Sequence, residues 1–243
     1  MKRKLGLLML IGALMLSVAP VWADGEFYVI AGGGQAVGTK ITSVPYVINQ
    51  SGFYYLSGNM TITTNSDDGI SVNADDVTLD LMGFSLVGNG IKFGINMNGR
   101  SNVEVRNGTV RNFYAGIGDK SDGTGANCRI SNVRAFNNYR GIHLYGKNSL
   151  VQACNCSNNT YQGINVISGT VTGNVACDNP DAGITMIGAG SVIGNIANNN
   201  AYRNFSFNSN ANILVDRNSA SGLAINYNGM ENKVIPGVNA GTP

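Results

Sequence analysis

The chain has 243 residues, of which 12% are charged, 43% are hydrophobic and 34 are asparagine. Its hydrophobic residues recur periodically, which excludes a disordered chain, and the net charge of +2 excludes the strongly basic surface that nucleic acids attract. We therefore expect one folded domain with a sizeable core and no nucleic-acid partner.

The first 23 residues are typical of a secretory signal peptide. Residues 2–4 are basic, residues 5–18 are apolar, and Ala23 closes a motif that a signal peptidase reads. An uncleaved membrane anchor is the alternative, and the short apolar run disfavours it. Cleavage removes three of the positive charges, so the mature charge of −1 follows from +2 minus 3. We predict export to the periplasm or the extracellular space, with no transmembrane segment in the mature chain.

A Gly-Ile pair recurs through the rest of the chain and predicts its architecture. The pairs open short alternating runs such as Ile142-His143-Leu144, which are typical of strands with one buried face. They begin at Gly69, Gly94, Gly116, Gly141, Gly163 and Gly183. A second column holds asparagines, each after a short β-prone run: Asn107, Asn132, Asn155, Asn174, Asn195 and Asn218.

Three short strands in each repeat, joined by Asn and Gly turns, predict one coil of a solenoid. The turns do not join strands in pairs as hairpins require, and no helical period supports βαβ units. We predict an all-β, single-domain, right-handed parallel β-helix of about seven coils. Asparagine suits its corners, because it adopts left-handed backbone conformations easily and stacked amides can bond to one another.

The repeat also sets the predicted boundaries. The signal peptide covers residues 1–23, an N-terminal cap with the first strands covers 24–66, the repeats cover 67–220, and a C-terminal cap or tail covers 221–243. Because that tail is short and a solenoid end needs protection, we predict an oligomer contact at the C-terminal end.

Two stretches carry a family resemblance. Residues 69–84 (GISVNADDVTLDLMGF) and 102–110 (NVEVRNGTV) resemble bacterial right-handed β-helix-repeat proteins of the pectate-lyase-like superfamily, over roughly residues 40–220. The resemblance implies the fold, and it implies lyase, hydrolase or epimerase activities on acidic polysaccharides. Asp67-Asp68 and Asp75-Asp76 match one polygalacturonase motif, but the Asn-Thr-Asp and Gly-His-Gly motifs and the calcium-binding acid cluster of pectate lyases are absent.

The only histidine marks the candidate catalytic group. Alternation places His143 and Tyr145 on the outer face, beside Asn96 and Asn165 of neighbouring coils, with Arg140 and Lys147 flanking them. A polysaccharide lyase needs a base for the sugar C5 proton and a cation for the carboxylate. We assign the catalytic role to His143, Tyr145, Arg140 and Lys147; the alternative is a solvated surface strand.

Other polar residues are candidates for binding. We assign substrate binding to Asn96, Asn165, Arg106, Arg111 and Arg134, while Glu104 and Arg129 share a column and predict an ion pair. A loop with Asp119 and Asp122 offers oxygen ligands for calcium, and an ordinary polar turn is the alternative.

The four cysteines, Cys128, Cys154, Cys156 and Cys177, fall in successive coils. Export permits disulfides, and the spacing is compatible with Cys177 stacking on either Cys154 or Cys156. Buried free thiols are the alternative. Their spacing matches no zinc site.

The functional prediction is an extracytoplasmic β-helix that binds, and as a lyase or glycoside hydrolase processes, a polysaccharide. A non-catalytic surface or envelope scaffold is the alternative from another class. A periplasmic accessory for a metalloenzyme is a third reading, which the single histidine disfavours.

Overall fold

The computed structural model describes residues 38–119, 124–222 and 225–229, and these residues form 22 strands in three parallel sheets. The predicted signal peptide, Asp122 and most of the C-terminal tail lie outside them. The nine-stranded sheet contains β2 (Tyr46–Ile48), β5 (Ile70–Val72), β8 (Phe93–Asn96), β10 (Ala115–Gly118), β12 (Arg140–Leu144), β14 (Gln162–Val166), β16 (Ala182–Met186), β19 (Arg203–Phe207) and β22 (Ile225–Asn228).

The second sheet has eleven strands and the third has two. The eleven-stranded sheet contains β1 (Thr39–Ile41), β3 (Gly52–Leu56), β4 (Met60–Thr61), β6 (Val77–Asp80), β7 (Ser85–Val87), β9 (Glu104–Arg111), β11 (Arg129–Phe136), β13 (Ser149–Gln152), β15 (Gly169–Thr172), β17 (Gly190–Ile193) and β20 (Ile213–Asp216). The two-stranded sheet pairs β18 (Ile196–Asn198) with β21 (Ser219–Ser221).

The pairing confirms the predicted all-β parallel β-helix, with about eight coils where about seven were expected. Pairing in register already begins among the first strands of the region 24–66, where Tyr46 aligns with Ile70 and Thr39 with Tyr54. No helix long and apolar enough to cross a membrane occurs in the described ranges.

The Gly-Ile pairs build the central column of the core. The isoleucines stack in register through β5, β8, β10, β12, β14 and β16, and aromatic rings continue the column in β19 and β22. Phe205 and Tyr227 stack with ring centroids 5.0 Å apart. Each isoleucine is fully buried, and each contributes roughly 1.5–3 kcal/mol of hydrophobic stabilisation.

The corners explain the abundance of asparagine. Asn107 and Asn132 have φ near 55° (57° and 54°), as expected for the left-handed region. The predicted asparagine column is nevertheless a mixture of positions, because the same corner holds Ala153 and Gly173 in the next coils. Asn155 lies two residues beyond that corner and is exposed.

Two rows of fully buried asparagines follow the corners, one residue after each turn. They are Asn174, Asn195 and Asn218 in the first row, and Asn138, Asn159, Asn179 and Asn200 in the second. In both rows the amide accepts a backbone N–H from the preceding coil and donates to a backbone carbonyl. Each row therefore satisfies buried backbone groups at a corner where the sheet hydrogen bonds are interrupted.

The cysteines are free thiols, and all but Cys177 are buried. The predicted stacking of Cys177 on Cys154 or Cys156 is wrong. The backbone of Cys154 hydrogen bonds to Asn174 and that of Cys177 to Ser157, so Cys177 occupies a different column from both.

Candidate functional site

The outer face of the nine-stranded sheet carries the candidate site, and the glycine of each Gly-Ile pair shapes this face. A Cβ atom on Gly141 would lie 2.5 Å from the carbonyl oxygen of Gly163, so only glycine allows the coils to approach there. The residue immediately before this glycine in the sequence and the second residue after it both lie on the outer face. The hydrogen bond of 3.1 Å from Asn165 to Gln162 shows this arrangement.

A pocket of about 320 Å³ opens on this face at β10. The outward positions of β10 are Ala115 and Gly118, whereas the flanking coils place Phe93 on one side and Arg140 and His143 on the other. The pocket exists because two small residues lie between large ones. Its lining is Phe93, Tyr114, Ala115, Asp119, Arg140, His143 and Tyr145.

His143 is an almost fully buried member of the lining, 5% exposed. Burial, assisted by the charge of Arg140, lowers its pKa to about 4, so the imidazole is neutral at neutral pH. Its ring stacks on that of Tyr145 with centroids 4.6 Å apart, and its Nδ1 atom is buried without a hydrogen-bond partner. A neutral imidazole with a free nitrogen is able to bond to a ligand or to accept a proton.

Arg140 lies against a row of tyrosines. Tyr114, Tyr139 and Tyr161 stack on one another with centroids 5.1 and 5.0 Å apart, and the guanidinium lies 5.3–5.7 Å from all three rings. It donates to the hydroxyl of Tyr114 at 3.2 Å, while its Nε is buried without a partner. The tyrosines hold the side chain in place, and no described carboxylate forms an ion pair with it. This cation is therefore available to an anionic ligand.

Asp119 lines the pocket but its carboxylate is already engaged. Its oxygens accept the backbone N–H groups of Tyr145 at 2.5 Å and Gly146 at 3.0 Å, which positions the turn after β12. Among the described residues there is no group of three or more acidic, histidine or cysteine side chains suited to a metal. The calcium site at Asp119 and Asp122 stays a prediction, since Asp122 lies outside the described residues.

The structure brings His143, Tyr145 and Arg140 together, but not Lys147. Lys147 is exposed in the loop after β12 and pairs with Ala126, and it does not line the pocket. The catalytic role assigned to these four residues stays a prediction.

The two asparagines predicted to bind substrate differ. Asn165 follows His143 directly in the outward column, and its Oδ1 is buried without a partner. Asn96 is not beside His143 as expected, because Gly118 lies between them. Both ends of the Asn96 amide are occupied, by Asp68 at 2.8 Å and by the backbone N–H of Asn98 at 3.0 Å.

The three arginines predicted to bind substrate belong to the eleven-stranded sheet, away from the pocket. Arg106 pairs with Asp80 at 2.8 Å and with Glu104 at 3.6 Å, and Arg134 donates to Thr109 at 3.1 Å. Arg111 aligns with Val87 and Phe136 in the same sheet. Glu104 does share its column with Arg129, as predicted, yet its ion pair among the described residues is with Arg106.

Sequence reasoning missed the aromatic wall, Phe93 and Tyr114, and the small residue Ala115. A signal was available, because Tyr114, Tyr139 and Tyr161 precede the Gly-Ile pairs at a constant offset of two residues. Stacking in register follows directly from that offset.

No family model matches this chain, and no curated protein matches it. Two solved structures are similar. Pectate lyase Pel9A is 14% identical, with 81% of this chain and 71% of that chain covered and a TM-score of 0.49. The Dettilon tailspike protein (gp208) is 11% identical, with 75% of this chain and 54% of that chain covered and a TM-score of 0.49. At these identities the likeness concerns the fold alone.

Proposed function

We propose that this protein is an exported β-helix that binds an acidic polysaccharide in the pocket on its nine-stranded sheet. The observation that carries the proposal is the convergence beside an aromatic wall of a neutral histidine, a tyrosine and an arginine that has no ion pair with a described carboxylate. The predicted signal peptide supports export, although its residues lie outside the described ranges.

Each part of the pocket suits one feature of an acidic sugar. The guanidinium of Arg140 offers two parallel donors to a carboxylate, a geometry that arginine provides and lysine does not. Phe93 and Tyr114, with centroids 6.2 Å apart, present apolar surface to a pyranose ring. His143 and Tyr145 supply hydrogen bonds that fix the hydroxyl groups.

A lyase is the second candidate, and the neutral imidazole of His143 favours it. In β-elimination His143 would take the proton from C5 of a uronate while Arg140 stabilises the carboxylate. The C5–H electron pair would form the C4–C5 double bond, and the C4–O bond would break as the leaving oxygen takes a proton from water. The same burial that keeps His143 neutral also makes it a weak base, so binding is the stronger proposal.

The test is calorimetric titration of the mature protein with polygalacturonate and with a neutral glucan. We expect binding of polygalacturonate only, weakened about tenfold or more by Arg140→Gln, because a charge-assisted hydrogen bond is lost. Arg129→Gln is the matched control, since Arg129 is exposed on the eleven-stranded sheet. Absence of binding to polygalacturonate and to less densely charged acidic oligosaccharides alike would remove the proposal and leave the non-catalytic scaffold.

The lyase candidate has its own readout. Elimination creates an unsaturated uronate whose ultraviolet absorbance rises with time. An increase that disappears in His143→Gln would establish the lyase, and a flat trace with intact binding would leave a binding protein only.

A further inference from the structure

The tyrosine–arginine pair of the pocket occurs a second time on the same face. Tyr139-Arg140 opens β12, and Tyr202-Arg203 opens β19. Arg140 aligns with Gln162 of the next coil, Gln162 is in register with Ala182 of the coil after that, and Ala182 aligns with Arg203. The two arginines therefore occupy one column, three coils apart. Within the described strands of the nine-stranded sheet they are the only two arginines.

Arg203 is held as Arg140 is held. Its guanidinium lies 4.1 Å from the centre of the Tyr202 ring, donates to the Tyr202 hydroxyl at 2.9 Å and reaches Ser206 at 3.5 Å. Its Nε is buried without a partner, and it forms no ion pair with a described carboxylate. A second cation is thus fixed on aromatic surface, with no ion-pair partner among the residues that the structure describes.

The two coils between the arginines carry no cation on this face. Their outward column contributes Asn165 and Thr185, whose side-chain oxygens are both buried without a hydrogen-bond partner. Asp181 lies at the corner between Tyr161 and Tyr202, accepts the Gln162 amide at 2.7 Å and raises the pKa of Tyr161. This part of the face therefore presents polar, uncharged side chains to a neutral sugar, whereas a carboxylate would be repelled by Asp181.

We infer that Arg140 and Arg203 are the two ends of one elongated site, which takes an acidic oligosaccharide whose carboxylates are separated by two neutral sugars. Three coils span about 14 Å at the strand spacing of a sheet. Where each sugar of an extended chain spans about one coil, at the strand spacing of about 4.8 Å, carboxylates on the first and fourth sugars would meet the two arginines. This inference rests on the proposed function and names its substrate class.

The test uses three synthetic tetrasaccharides with the mature protein. The diacid carries uronic acids at both ends and neutral hexoses between them, the monoacid carries one uronic acid, and tetragalacturonate carries four. We expect the diacid to bind about tenfold more tightly than the monoacid, because it forms a second charge-assisted contact. Arg203→Gln should abolish that difference, and Arg203→Lys should restore part of it by returning the charge. Asp181→Asn should strengthen the binding of tetragalacturonate and leave the diacid unchanged.

Different outcomes of this test would overturn the two-arginine site and the proposed function. If Arg140→Gln weakens the diacid while Arg203→Gln, with an unchanged unfolding midpoint, binds it like the wild type, the site ends at the pocket and the inference is overturned. If the wild type binds none of the three oligosaccharides, the proposed function itself fails. Equal affinity of the wild type for diacid and monoacid would also overturn the inference.

Discussion

The buried asparagine rows make a quantitative prediction, for which Asn159 is the best probe. Its Nδ2 donates to the carbonyl of Ala135 at 3.0 Å, and its Oδ1 accepts the backbone N–H of Asn138 at 3.1 Å. Asn159→Ala leaves both backbone groups buried without these partners. Each orphaned group costs about 1–3 kcal/mol, so we expect the free energy of unfolding to fall by roughly 2–6 kcal/mol. Such a loss is a large part of the stability of an ordinary domain.

The assay is equilibrium unfolding in urea, followed by circular dichroism and compared through the midpoint and the slope. Asn155→Ala is the matched control, because this asparagine belongs to the same coil and is exposed. We expect the control to change stability by no more than about 0.5 kcal/mol. If Asn159→Ala were as mild as Asn155→Ala, the buried amides would not be satisfying the corners, and the account of the rows would be refuted.

Three further predictions concern the imidazole, the glycine column and the thiols. His143 should titrate by NMR near pH 4, and a midpoint near 6.5 would contradict its burial. Because the unfolded state binds the proton at a higher pH than the folded state, the free energy of unfolding should fall by up to roughly 3 kcal/mol as pH drops from 6.5 to 4. His143→Gln should remove most of that loss. Gly141→Ala should lower the free energy of unfolding in urea by about 1–3 kcal/mol, because the added Cβ meets a backbone carbonyl. Gly58→Ala should be neutral, since there is open space around Gly58. Equal effects of the two changes would show that close contact between coils does not require glycine at position 141. Thiol reagents should label Cys177 first and the fully buried Cys156 last, since burial raises the pKa of Cys156 well above its usual value, and the reverse order would contradict the burial of these thiols.

The fold was predictable because a solenoid repeats its constraints. Each Gly-Ile pair encodes the same close approach and the same buried column, so six copies of one pattern gave the register of six strands. The asparagine column was less predictable, since a corner and the buried position after it are adjacent in sequence. Asn132 occupies the first position and Asn174 the second, and spacing alone does not distinguish them.

The candidate site was predictable only in part, and chemistry decided which part. His143, Tyr145 and Arg140 were recognised as groups able to act on an acidic sugar, and their convergence follows from their common strand and the turn after it. Lys147 was included because it is near in sequence, but the turn after β12 carries it out of the pocket. The arginines of the eleven-stranded sheet were included because a guanidinium suits an acidic glycan, although Arg106 is already paired with Asp80.

The pocket itself has no chemical signature in the sequence, because it forms where one coil has very small side chains between larger ones. Ala115 and Gly118 attract no attention as single residues, and they matter only because Phe93 and Arg140 stand above and below Ala115 in the stack. In a solenoid each coil contacts mainly its two neighbours, and its inward column fills the core whatever the outward column holds. Ile117 of β10 is as fully buried as Ile95 and Ile142 on either side. The outer residues of one coil can therefore be changed to open a binding site while the core column below them stays intact. Because fold and function depend on different columns, the repeat predicts the fold well and the function poorly.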